Sequence, residues 1–508
     1  MSMLILGPLV RIAQAFLHAA PTVLVGILVA AILRVLIRRE QTSALFGGRS
    51  WRQLPQAWGL GMLLPVCSLG AIPIMSELRR AGIQGGTIMA FGLTAPIFNP
   101  VSLLYGLSLS RPLVILSICV CSFVIVTIVG ASWDYIFATP PVAQEKNPRF
   151  PYGLRRILGV GLTVLRLGWN RDTVWMMLGI FGVGLLSLAL APNSLQQSAE
   201  HDDPLAAWRM AAIALPAYVT PMEAMVQLSN MFQHGNSIAA AFTLLILGTG
   251  MNLGVVAWSF HHFRGSKTLA WLLITIGLVL GMGYLLNAWL YPQGIIPEGH
   301  THAFDSFCRP ELPTPGSAMA AALSLIVDQT QVHEGAAVAA WGLLVVGGFV
   351  VWRLDPHQGW EHKLLGDIAT PPTSTTYGDL VLPTWLVATL GLGGLLAASI
   401  FGCFVFYPPP PVVYRDIMAA NAEVCSRVAA GDTRGAMLWL HIYEDQLNKL
   451  KVGSTIRGQT LSPYQSRKIE ELEVALEELE HAMADAHTSE AKEIAGTVAR
   501  TCYELRQP

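Results

Sequence analysis

Apolar residues along this chain come in long, nearly unbroken runs, and the charged positions between them gather in a few clusters. The first run covers roughly residues 8–37 and ends in Arg34, Arg38 and Arg39, with Arg49 and Arg52 just beyond. Further runs lie at about 87–109, 113–131, 173–191, 237–260, 268–290, 335–352 and 381–406. These runs approach the roughly 20 residues with which a helix crosses a bilayer. Two apolar stretches differ. Residues 54–80 contain Leu64-Pro65-Val66-Cys67-Ser68-Leu69-Gly70-Ala71-Ile72-Pro73, and a later stretch reads Leu215-Pro216-Ala217-Tyr218-Val219-Thr220-Pro221. Their prolines and glycine predict backbone that departs from a regular helix, with helices starting after Pro73 and Pro221. Such backbone is tolerated at membrane depth only where protein or a water-filled cavity satisfies it. Transporters build solute sites from segments of this kind.

The charged clusters predict a topology. Basic residues at 34–53 and 139–172 are expected on the cytoplasmic side, which puts the N-terminus outside. The runs 87–109 and 113–131 already supply two crossings between these clusters. The stretch 54–80 must then enter and leave on one side, as a re-entrant hairpin. Residues 152–169 read as a basic amphipathic helix lying on the cytoplasmic surface. A single offset of 153 maps Gly82 onto Gly235, Asn99 onto Asn252 and Arg111 onto Arg264. Each half then holds three crossings plus one re-entrant segment, and the odd number of crossings inverts the second copy.

The expected fold class is an all-α polytopic membrane protein built on this inverted repeat. Repeat 1 covers 1–138, a cytoplasmic linker 139–172 and repeat 2 173–291. An extracytoplasmic loop at 292–334 and two additional spans within 335–407 follow. The tail, 412–508, is charged and helix-forming. Ile469, Leu472, Leu476, Leu479 and Met483 form a coiled-coil-like a/d seam with Glu-rich flanks. Helices at about 413–430, 432–451, 463–486 and 489–506 predict a soluble four-helix bundle. Eight crossings from an outside N-terminus place it outside the cytoplasm. An exposed seam would be a docking face for a protein partner or a second copy; a buried one, a self-contained bundle.

Composition removes other classes. With 53% hydrophobic and 13% charged residues, this is not the make-up of a soluble globular protein. A net charge of −1 offers nothing to nucleic acid. Seven scattered cysteines contain no CxxC pair and no haem-attachment motif, so no cofactor is expected. No P-loop is present, so coupling to ATP is not expected either. No nucleophile–base pair or metal triad falls within the spans, which argues against an enzyme.

The residues that carry chemistry are few. Cys67 reads either as a soft ligand in an unwound segment or as a small buried residue. Ser68 would bind substrate or satisfy freed backbone. Asn99 and Asn252 would line a cavity near a pseudo-two-fold axis or hold the repeats together by hydrogen bonds. Glu223 would carry a coupling proton, or complete a capping box with Thr220 behind Pro221. In the outer loop, His300, His302, Asp305 and Cys308 fall within nine residues and would make a soft divalent-metal site, or are simply clustered polar residues.

The run Pro65-Val66-Cys67-Ser68-Leu69-Gly70-Ala71-Ile72-Pro73, followed by Leu78, Gly82, Gly85, Ala95-Pro96 and Asn99-Pro100, resembles the signature of the ArsP/YraQ-type bacterial permeases. The resemblance covers about residues 10–290. It implies an inner-membrane permease, some members of which export trivalent organoarsenicals; a small solute would pass between the two halves against Cys67, Ser68, Pro73, Asn99, Pro100, Pro221, Glu223 and Asn252. The second motif cysteine of that family is Leu69 here, which moves the expected chemistry from a dithiol site toward an amide-lined one. The alternative class is a non-transporting scaffold or metal sensor whose outer loop and tail dock a partner.

Overall fold

A computed structural model describes residues 3–37, 39–46, 51–109, 112–136, 155–192, 194–195, 199–233, 235–291, 303–310, 318–357, 359–360, 383–459, 461–484 and 487–505. No strand occurs among the described residues. Among the described residues, six helices are long and apolar enough to cross a membrane. They are α1 (Met3–Val35), α7 (Pro112–Ile136), α9 (Arg171–Ala189), α14 (Gly265–Leu290), α16 (Val332–Leu354) and α17 (Thr384–Phe406).

The proline-rich stretches fold into pairs of short helices. The first is α3 (Gln53–Leu63) and α4 (Ser68–Arg80), parted at residues 64–67. The second is α10 (Ala206–Ala214) and α11 (Pro221–Gln233). Thr220-Pro221 starts α11 as its sequence predicts, with proline at the first helical position, where its missing N–H costs nothing. The expected start after Pro73 is corrected: α4 begins at Ser68 and carries Pro73 in its second turn. Cys67 makes this possible. Its sulfur accepts the Gly70 N–H at 3.4 Å and caps the helix, so one backbone hydrogen bond lost at Pro73 is tolerated.

The runs 87–109 and 237–260 were expected to cross unbroken. The first is instead α5 (Gly85–Thr94) and α6 (Pro100–Leu109). The second is α12 (Ile238–Thr243), a π turn at Leu244–Gly248, and α13 (Leu253–His262), bent by 53°. If that bent pair is one span, up to seven helical segments are long and apolar enough to cross. Hydropathy is blind to these breaks because the residues within them, such as Ala95, Ile97 and Phe98, are as apolar as the helices they interrupt.

One offset runs through all of these boundaries. Helices α3, α4, α5, α6 and α7 begin 153 residues before α10, α11, α12, α13 and α14 respectively. Gly82 and Gly235 both adopt a positive φ, 79° and 66°, where only glycine is unstrained. The chain therefore repeats a run of helix starts and one left-handed turn.

Between the halves, α8 (Arg155–Gly168) is the expected amphipathic helix, with Ile157 and Leu158 exposed on its apolar face. The predicted loop at 292–334 holds a helix, α15 (Ala318–Gln329). Its Ala318 and Ala322 bury against Leu6 and Val10 of α1. That correction follows from composition: Ala-Met-Ala-Ala-Ala-Leu is a strong helix former with an apolar face.

The chain divides into two compact units. One comprises Met1–Leu103 with Leu113–Ser399, the other Leu104–Pro112 with Ile400–Pro508. The second contains α18 (Pro410–Ala430), α19 (Thr433–Ile456), α20 (Pro463–Ala484) and α21 (Thr488–Leu505). Its seam is buried: Ile469, Leu472, Leu476 and Leu479 are 0% exposed and Met483 6%. They share one core with Ile417, Leu440, Tyr443 and Val498, so the a/d stripe is consumed inside the bundle. Leu476→Ala is expected to lower this unit's stability by about 2–5 kcal/mol. Amide exchange in α20 of the full chain would accelerate; unchanged exchange would show that the seam does not hold the unit together.

Candidate functional site

The two proline-broken stretches meet α1 and α13 at one buried point. Cys67 caps α4, and the Thr22 hydroxyl of α1 donates to its sulfur at 2.9 Å. Tyr218, from the second broken stretch, lies beside both Cys67 and Thr22. Ser68 opens α4, and the Asn252 amide donates to its hydroxyl at 2.7 Å. The Asn252 oxygen accepts the Val255 N–H at 2.9 Å and so caps α13. Cys67, Ser68 and Asn252 are each 0% exposed. The structure thus places together Cys67, Ser68 and Asn252, residues that lie 184 positions apart along the chain.

Close backbone approach allows this. α1 and α4 touch at Gly26 and Gly70. A Cβ on Gly70 would sit 2.6 Å from the Thr22 carbonyl oxygen, and one on Gly26 would collide with the Gly70 carbonyl. Gly179 of α9 leaves room for side chains instead: a Cβ there would sit 2.5 Å from the tip of Leu69 and 3.0 Å from the Asn252 oxygen.

Asn99 lies elsewhere in its own environment but does the same local job as Asn252. Its oxygen accepts the Ser102 N–H at 2.8 Å ahead of Pro100, the first residue of α6. Unlike Asn252, it is only partly buried. The same 153-residue relation holds for Cys67 and Thr220. The Thr220 hydroxyl accepts the Glu223 N–H at 3.2 Å. That is half of the expected capping box, and Glu223 itself is partly buried. Four broken-segment helices therefore start with a side-chain cap, at Cys67, Asn99, Thr220 and Asn252. Each start concentrates partial positive charge.

Other residues of this core escaped the sequence reading. Asp134 of α7 accepts the Gly86 N–H at 2.7 Å, capping α5 from a different helix. Its partner at the same offset, Asn287 of α14, accepts the Ile238 N–H at 2.9 Å and caps α12. Only the offset, applied to every polar residue in the runs, would have found this pair. A second missed network joins α4, α9 and α13. Trp258 donates to the Ser76 hydroxyl at 2.9 Å, and Ser76 donates to Asp172 at 2.8 Å. Glu77 pairs with Arg80 at 3.3 Å and also lies 3.9 Å from Arg34.

Of the suggested metal ligands, His300 and His302 lie outside the described residues. Asp305 and Cys308 belong to a short segment pinned across α1. Arg11 donates to the Cys308 carbonyl at 2.9 Å and to the Asp305 carbonyl. Gln227 of α11 donates to Ser306 at 3.1 Å. The Cys308 thiol is buried, which pushes its pKa up and disfavours the thiolate that a metal requires. Among the described residues, no three His, Cys, Asp or Glu side chains cluster for a metal.

A family model described as "predicted permease" matches residues 9–288. The UPF0718 protein YcgR of Bacillus subtilis (strain 168) is 30% identical over 87 residues, which are 17% of this chain and 30% of that protein. The chain therefore aligns with less than a third of that relative's length. No solved structure matches.

Proposed function

We propose, for a chain that belongs to the predicted-permease family matched over residues 9–288, that a small solute passes between its two halves where the capped starts of α4 and α13 meet. The chain is a multi-pass membrane permease; the route and the solute class are our inference. In this reading the two halves are inverted repeats, each with a re-entrant hairpin, and the tail stands outside the cytoplasm of a bacterial inner membrane. The observation that carries the route is the Asn252–Ser68 hydrogen bond, which links the starts of α13 and α4 at a fully buried point. Transporter folds place discontinuous helices at their solute sites, and helix N-termini favour anionic groups there.

The described conformation is closed at this point, so a solute must replace the Asn252–Ser68 bond. Solute polar atoms would take over the Asn252 N–H and the Ser68 hydroxyl. Cys67 adds one soft donor, which favours an electron-rich anion or a single-thiolate metalloid contact over a dithiol chelate. Glu223 and Pro221 shape the opposite wall, with Glu223 the candidate coupling carboxylate. The absence of a partner thiol at Leu69 argues against a two-sulfur substrate site.

Flux in proteoliposomes tests this. A panel of oxyanions, halides, metals and metalloids is loaded, and efflux is followed for the native chain and for Ser68→Ala. We expect at least one anionic or metalloid solute to leave faster than from empty liposomes. Ser68→Ala is expected to change that rate by about tenfold, the scale of one polar contact of ~1.4 kcal/mol. Equal flux through the native chain and Ser68→Ala would rule out this point as the route.

A further inference from the structure

A cavity with two arginines lies away from the solute route, at the junction of α1, α8 and α16. It measures about 180 Å³ and is lined by Arg34, Arg166, Trp169, Asn170, Trp352 and Asp355. We propose that it holds the phosphate of an anionic phospholipid headgroup, whose acyl chains lie along the outer face of α16.

Three features support this occupant. The first is charge. Arg34 and Arg166 bring two guanidiniums to one small cavity, and guanidinium forks match phosphate oxygens. The Asp355 carboxylate partly offsets them, since Arg166 donates to it at 2.7 Å. Yet Asp355 also accepts the Gly359 and Trp360 N–H groups, at 2.6 and 2.8 Å. It is therefore held by its own turn, and a phosphate can share Arg166 without leaving Asp355 unsatisfied. Arg34 is likewise shared, at 3.9 Å from Glu77.

The second is aromatic placement. Trp169 is 42% exposed and Trp352 55%, and both pack against Phe349, with ring centroids 5.3 and 5.9 Å apart. Half-exposed indoles beside arginines are the arrangement found at headgroup level. A pocket for a soluble anion has no use for them.

The third is the surrounding surface. Leu343, Val346, Val350 and Leu354 of α16 are all exposed, as are Ile157 and Leu158 on α8. Next to a basic cavity, these apolar faces give a headgroup somewhere to put its chains. Basic pockets between membrane helices bind anionic lipids by this combination. Helix α16 lies beyond the residues that match the permease family. The site is thus a property of the chain's extension joined to the linker helix.

The full chain in nanodiscs provides the test. Brominated phosphatidylglycerol or brominated phosphatidylcholine is titrated into phosphatidylcholine discs, and tryptophan quenching is read as native minus the Trp169→Phe/Trp352→Phe variant. That difference isolates the two cavity indoles. Brominated phosphatidylglycerol should half-saturate the quench at about tenfold lower mole fraction than brominated phosphatidylcholine. Arg34→Gln should reduce the preference about fivefold, the effect of one surface guanidinium. Asp355→Asn, which removes the competing carboxylate and leaves Arg166 in place, should strengthen it. Equal quenching by the two lipids, or a full preference retained in Arg34→Gln, overturns the proposal. Inorganic phosphate shifting the indole emission in phosphatidylcholine discs, without a phosphatidylglycerol preference, overturns it in favour of a soluble anion.

Discussion

Gly70→Val is expected to cost at least the upper end of the ~1–3 kcal/mol typical of overpacking, measured as thermal unfolding of the detergent-solubilised chain. The reason is that the new side chain meets backbone rather than a yielding side chain. A first carbon at position 70 already lies 2.6 Å from the Thr22 carbonyl oxygen and 3.4 Å from the Val23 Cα. Neither atom can move without moving α1 as a whole. Small residues at helix crossings in membranes serve this close approach, because lipid supplies no hydrophobic drive and close packing with interhelical hydrogen bonds must hold the helices. The same displacement would pull Thr22 from Cys67, so solute flux should fall together with stability. A useful contrast is Gly82→Ala. Nothing lies within 4 Å of a Cβ at Gly82, and the strain comes only from its φ of +79°. That substitution should cost about 1–2 kcal/mol and leave flux unchanged. Equal losses for Gly70→Val and Gly82→Ala would show that the α1–α4 crossing is not the tight point.

Asn252→Ala should cost about 2–3 kcal/mol, and Asn99→Ala only about 1 kcal/mol. Both substitutions remove a helix cap, worth about 0.5–2 kcal/mol. The difference lies in what else each amide does. Asn252 is fully buried and also donates to Ser68, so its removal strands a buried hydroxyl, at about 1–3 kcal/mol. Asn99 is partly buried, and water can reach the groups it leaves. A double-mutant cycle of Asn252→Ala with Ser68→Ala isolates the shared bond, with an expected coupling of about 1 kcal/mol. Unfolding midpoints for the four proteins give that number directly. Zero coupling would mean that the two halves are not joined there, and the proposed route would lose its main support.

Much of the candidate site was legible because its caps are written in residue type. Thr220-Pro221 pairs a capping side chain with a proline suited to the first helical position, whereas Asn99 reads in the sequence as a cavity or repeat-joining amide and its cap shows only in the structure. The tail was legible for a related reason: the seam from Ile469 to Met483 repeats at helical spacing. Two features run against the sequence pattern. Pro73 marks a helix boundary by residue type, whereas Cys67 starts the helix earlier with a sulfur cap, an acceptor outside the usual capping set. The runs at 87–109 and 237–260 look unbroken by hydropathy, because an unwound apolar residue scores the same as a helical one.

From the sequence alone come the membrane class, the start of α11 at Pro221 and the 153-residue offset between halves. These follow from local chemistry: apolar run length, a capping Thr220 ahead of a proline, and polar and glycine residues that recur at one spacing. Tertiary structure alone decided which caps meet. Asn99 and Asn252 are equivalent along the chain, yet only Asn252 reaches across to the other broken segment, at Ser68. It also decided that Asp134 and Asn287 cap helices other than their own, and that two arginines from α1 and α8 line a cavity closed by α16. Hydrogen bonds and charges act over a few ångströms of space, and a chain's order does not state which distant residues its packing will bring within that reach.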